Sequence, residues 1–93
     1  MLRVTVDDID DATFFEVEGS LTQPSAEELK KCWEGVAASA SRLQRLVVNL
    51  TAMTNIDSAG KKILQEMHKS GVRLIGSGVM TRALIEEIMG GDR

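Results

Sequence analysis

The chain has 93 residues, 43% hydrophobic and 27% charged, with a net charge of −3 at neutral pH. This is the size of one domain, residues 1–93, and its scattered basic residues give no positive field for a nucleic acid. No apolar run approaches the ~20 residues that span a bilayer, MLRVTVDD carries no signal-peptide core, and a single cysteine excludes an internal disulfide.

A cytoplasmic, mildly acidic α/β domain with an aliphatic core is therefore expected, since there are two Phe, one Trp and no Tyr. Leu2, Val4 and Val6 alternate with Arg3 and Thr5, the pattern of a half-buried first strand. Asp7, Asp8, Asp10 and Asp11 read as an acidic turn, and Thr13 to Glu18 as a second strand with Phe15 and Val17 on one face. Gly19 closes this hairpin. The four aspartates lack the spacing, the central Gly and the terminal Glu of a calcium loop.

Ser25 and Glu28 have capping-box spacing just after Pro24, and Gln23 as cap with Pro24 as first helical residue fits equally. Leu29, Cys32, Trp33, Val36, Ala37 and Ala40 then form one apolar stripe, which makes Cys32 and Trp33 core residues. This helix is expected to end near Ala40 to Arg42, with Leu43-Gln44 leading into a strand from Arg45 to Leu50.

The next stretch, LVVNLTAMTNIDSAG from Leu46 to Gly60, is the most telling. Val47, Val48 and Leu50 have the character of a strand buried on both faces. A polar turn follows, in which Asp57 or Ser58 is a natural cap for the helix that begins at once. Ala59, Ile63, Leu64 and Met67 make its stripe, and Gly71 is its expected left-handed stop. His68 has no acid-base or metal partner at suitable spacing and reads as a helix-end or surface residue. Val72 to Ile75 is a short strand and Gly76-Ser77-Gly78 a turn. Met80 or Thr81 opens a third helix with Leu84, Ile85, Ile88 and Met89 as apolar residues, and Gly90 to Arg93 form a frayed tail.

The order β-β-α-β-α-β-α implies a small mixed sheet. Strands joined through helices run parallel, and the first strand adds antiparallel. Loops leaving the carboxyl ends of parallel strands emerge at one edge, where ligands of such sheets bind. Ser20, Thr22, Asn55 to Ser58 and Gly76 to Gly78 are expected to gather there. Ser58 then stands at the positive end of a helix dipole, where a phosphoryl group meets unpaired amides. A plain capping role for Ser58, and a tight-turn role for Gly76-Ser77-Gly78 rather than an anion cradle, fit the same residues.

The element order, the Gly19-Ser20-Leu21 turn, Val47-Val48-Asn49-Leu50 and the Ile56-to-Gly60 run Ile-Asp-Ser-Ala-Gly together resemble the STAS domain family, which includes bacterial anti-sigma factor antagonists. In those antagonists the serine after this aspartate is phosphorylated by a partner anti-sigma factor, itself a serine kinase, and only the unphosphorylated form binds tightly. The resemblance implies Ser58 as phosphosite and Asp57 as its neighbour. Together with the loop edge and the two lysines that follow, this gives a candidate partner surface of Asp57, Ser58, Ala59, Lys61, Lys62, Ser20, Thr22, Gly76, Ser77 and Gly78, with no catalytic centre, cofactor or metal. Two features depart from the family. Lys61-Lys62 replace a common Leu-Gly, and the chain stops after its third helix where many relatives add a strand and a helix. Lys61 and Lys62 lie at i+3 and i+4 from Ser58, so at least one can reach back over the first turn. A scaffold subunit of a stress-signalling or lipid-transport complex, or a small-molecule or nucleotide sensor, are the alternative uses of this fold.

Overall fold

The computed structural model describes residues 2–39 and 45–90. Within them the order is β1 (Leu2–Ile9), β2 (Ala12–Leu21), α1 (Ser25–Ser39), β3 (Arg45–Asn49), β4 (Met53–Ile56), α2 (Ser58–Lys69), β5 (Arg73–Ile75) and α3 (Val79–Gly90). The expected end of α1 at Ala40 to Arg42, the Leu43-Gln44 joint and the tail from Gly91 lie outside the described residues.

The sheet order is β1-β2-β3-β5. β1 runs antiparallel to β2, while β2, β3 and β5 run parallel, as the helical connections require. The hairpin is longer than the sequence implies. Asp7 and Asp8 belong to β1, and the turn is Asp10-Asp11 alone, with Asp10 left-handed at φ 53. Asp8 is in strand because it faces Thr13, whose hydroxyl donates to its Oδ1 at 2.6 Å and so satisfies a fully buried polar side chain. Gly19 does not close the hairpin either: β2 runs on through Leu21.

That extension exists because of β4, which the sequence reading takes for a polar turn. Asn49 Oδ1 accepts from the Thr51 amide at 2.9 Å and the Met53 amide donates to the Leu50 carbonyl, so the chain steps sideways after β3. Met53–Ile56 then pairs parallel with Gly19, Ser20 and Leu21, across a register shift at Gly19/Ser20. Thr54 and Asn55 are exposed, which is why no apolar period announced this strand.

The core contains Phe15, Val17, Val48 and Leu74 from the strands, Leu29 from α1, Leu64 and Met67 from α2, and Leu84 and Ile88 from α3. α2 ends as the sequence implies, in a Schellman motif. The Val72 amide donates to the Met67 carbonyl and the Gly71 amide to that of His68, with Gly71 at φ 97. The α1 stripe is only partly core. Leu29 is buried, but Cys32, Trp33 and Val36 are half-buried and Ala37 is exposed, because α1 has the sheet and α2 on one side and solvent on the other. Burial pushes the Cys32 thiol above its ordinary value, which disfavours the reactive thiolate. In α3 the helix starts at Val79 rather than at Met80 or Thr81 and includes Gly90, and Met89 is half exposed rather than core.

Candidate functional site

The site is built on the first turn of α2. Asp57 is the N-cap, with extended backbone at φ −111 and ψ −173, and its Oδ1 accepts from the Gly60 amide at 2.9 Å. Between the two sequence candidates, the cap is thus Asp57, and Ser58 is the first helical residue. The other carboxylate oxygen accepts from the Gln23 amide at 3.0 Å, and the Asp57 amide donates to the Leu21 carbonyl at 3.3 Å. One aspartate therefore ties the end of β4, the start of α2 and the β2–α1 loop together. Gln23 acts through its backbone, so its side chain gave no signal in the sequence.

Ser58 is exposed at this end of α2, one residue from the Asp57 carboxylate. Ala59 is half-buried against the core, which fixes the rotation of the helix and turns Ser58 outward. Ser20 pairs with Asn55, and the Thr22 carbonyl accepts from the Ala26 amide at 2.9 Å. The structure thus brings Ser20, Thr22, Asn55, Asp57 and Ser58 to one edge. The Gly76-Ser77-Gly78 turn is anchored elsewhere along the strands. The Ser77 amide donates to Thr51 Oγ1 at 3.2 Å, at the step between β3 and β4. Since Ile75 is level with Asn49 and Asn49 with Glu16, this turn leaves the sheet several residues earlier along β2 than Ser58 does.

The two lysines have separate surroundings. Lys61 Nζ stands 3.4 Å from Glu87 Oε1 on α3, whereas Lys62 is exposed. With side chains 39% and 63% exposed, the Lys61–Glu87 pair adds little stability and serves chiefly to orient Lys61 toward α3. Glu87 was missed by sequence reasoning, as nothing in its own helix marks it as a partner for α2. His68 lies half-buried in the last turn of α2, where the charge of the neighbouring Lys69 complements the dipole.

The hydrogen bond from the Gly60 amide, and then that from Gln23, hold the Asp57 carboxyl below its ordinary value of 3.8. A carboxylate with a lowered folded value contributes stability that is complete above the unfolded value and is lost as pH falls through the folded one. The melting temperature of the wild type is therefore expected to drop more steeply below about pH 4 than that of Asp57→Asn, which keeps a capping oxygen but has no proton to gain. Parallel acid profiles in thermal melts would count against this role for the carboxylate.

Compared with known proteins, the STAS domain family model matches residues 3–81. No match to a curated protein was found. Among solved structures, an anti-sigma factor antagonist from Mycobacterium paratuberculosis superposes with a TM-score of 0.80 at 24% identity, over 99% of this chain and 80% of that one. The anti-sigma factor antagonist SpoIIAA in its unphosphorylated form is similar over 90% of this chain and 82% of its own, at 12% identity and a TM-score of 0.62. Mglu matches 81% of this chain at 20% identity with a TM-score of 0.62, and this chain spans 19% of its length. At these identities the structural likeness concerns the fold.

Proposed function

The chain belongs to the STAS domain family, and we propose that it is an anti-sigma factor antagonist whose docking is switched by phosphorylation of Ser58. The observation that carries this reading is an exposed serine at the first helical position of a firmly capped helix, next to a carboxylate that belongs to the cap. A phosphate there adds nearly two negative charges at neutral pH. Inside the domain the helix dipole and first-turn amides accommodate it. Across an interface, the same charge beside Asp57 meets desolvation and like-charge repulsion.

The partner is a serine-kinase anti-sigma factor that supplies ATP, so this domain acts in the cytoplasm as substrate and binding module, with residues 1–93 as one unit and no cofactor. Asp57, Ser58 and Ala59 form the centre of its surface, flanked by Ser20 and Thr22. Lys62, exposed one turn from Ser58, steers an acidic partner, while Lys61 faces Glu87. Gly76, Ser77 and Gly78, which leave the sheet several residues earlier along β2, form only the outer margin of this surface.

Incubation with the kinase encoded in the same genome and ATP, followed by peptide mass analysis, tests the proposal. Phosphate is expected on the peptide containing Ser58, and none is expected in Ser58→Ala. Phosphate on another peptide, or no transfer at all, refutes it.

A further inference from the structure

β4 has a strand neighbour on one side only. Among the described residues it pairs with β2 and with no other strand, so its second edge faces away from the sheet. The register identifies what lies there. The Asp57 amide donates toward β2, to the Leu21 carbonyl, and backbone groups alternate sides along a parallel strand. The amide and carbonyl of Ile56 therefore point outward. That amide is held by Asn55 Oδ1, one residue back, at 2.9 Å. Rotation of one exposed side chain releases the donor.

α3 stands across from this edge without closing on it. A cavity of about 380 Å³ lies between them, with Met53 and Ile56 on one wall and Met80 and Leu84 on the other, and with Lys61 and Glu87 also lining it. Met80 is 85% exposed. A large flexible apolar side chain in that position is suited to covering an incoming chain.

A strand edge with no partner strand among the described residues, facing a helix across a partly apolar groove, is an arrangement that accepts an added strand. We infer that the groove between β4 and α3 docks an extended segment of a partner protein, which pairs with the outward edge of β4 and sets alternate apolar side chains against Met53, Ile56, Met80 and Leu84. Hydrogen bonding selects this occupant. A helix satisfies its backbone internally and offers the Ile56 amide and carbonyl nothing. An extended chain supplies a carbonyl and an amide at strand spacing and gains specificity from its alternate side chains. The docking needs neither kinase nor phosphate, so it stands or falls separately from the role of Ser58.

The probe is a displayed library of peptides of about eight residues, the length of an ordinary strand with flanks, selected on the unmodified chain. Selected sequences are expected to alternate apolar and polar residues. Synthetic copies should bind with Kd of about 10–100 μM and shift the amide NMR signals of Thr54, Asn55, Ile56 and Met80. N-methylation of one alternate set of peptide amides should weaken binding roughly tenfold or more, and the other set should have little effect. Ala83→Trp, at an exposed position on the groove wall, should abolish binding with the melting temperature unchanged. Helical binders indifferent to N-methylation, shifts at other residues, binding retained in Ala83→Trp, self-association of the chain through this edge, or no selected peptide at all would each overturn the inference.

Discussion

Replacing Gly60 with alanine is expected to destabilise the protein by about 3 kcal/mol, the upper range for forcing a methyl into a filled interior. Gly60 is buried in the first turn of α2, and a Cβ there would run into the Leu21 carbonyl oxygen and lie 2.8 Å from Ile56 Cγ1. The oxygen has nowhere to go, since it accepts the Asp57 amide that anchors the cap. Relief requires α2 to move off β2, which breaks the Asp57–Gly60 bond and loosens the presentation of Ser58. For a domain whose total stability is on the order of 5 kcal/mol, that is most of the available margin. Thermal melts should show a fall of roughly 15–20 °C. Gly35→Ala is the control, because nothing beyond its own turns of helix backbone lies within 4 Å of its Cβ position in the middle of α1. It is expected to gain up to about 1 kcal/mol of helix stability. Equal melting temperatures for the two variants would show that the α2–β2 approach tolerates a methyl.

The same contact explains what the sequence could and could not reveal. Periodicity located α1, α2, β3 and the core residues Phe15, Val17, Leu29, Leu64 and Ile88, because burial on one face leaves a regular apolar trace. Turn chemistry located Gly71, whose Schellman geometry requires a positive φ. β4 left no such trace. Its pairing with β2 is made by backbone groups, Thr54 and Asn55 are exposed, and its two apolar residues, Met53 and Ile56, are only half-buried. Trp33 shows the opposite failure: an apolar residue on a helical stripe was expected in the core, yet the stripe is wider than the surface that covers it. The edge where Ser20, Thr22 and Ser58 meet followed from parallel topology alone. That the Gly76 turn anchors on Thr51 instead did not follow, because it depends on β3 ending earlier along β2 than β4 does, a matter of register that no side-chain pattern encodes.

Ser58→Asp should lower affinity for the proposed anti-sigma partner by about 100-fold, which is roughly 2.7 kcal/mol, while leaving the melting temperature within a degree or two of wild type. The two halves of this expectation have separate causes. In the free domain the new carboxylate sits at the positive end of α2, where an acid is favourable by some tenths of a kcal/mol, and its repulsion by Asp57 works against that in open solvent. In the proposed complex, two adjacent carboxylates would be stripped of water against a surface that accepts a neutral hydroxyl, and unpaired charge in an interface costs several kcal/mol. A phosphate carries more charge than Asp, so the modified chain should bind more weakly still. Ser58→Ala should bind like wild type and be immune to the kinase. Titration calorimetry on the three proteins, with melts alongside, separates the outcomes. Unchanged affinity in Ser58→Asp would remove Ser58 from the interface, and a drop of many degrees in its melting temperature would mean that the hydroxyl packs inward and that charge acts on the fold instead of on docking.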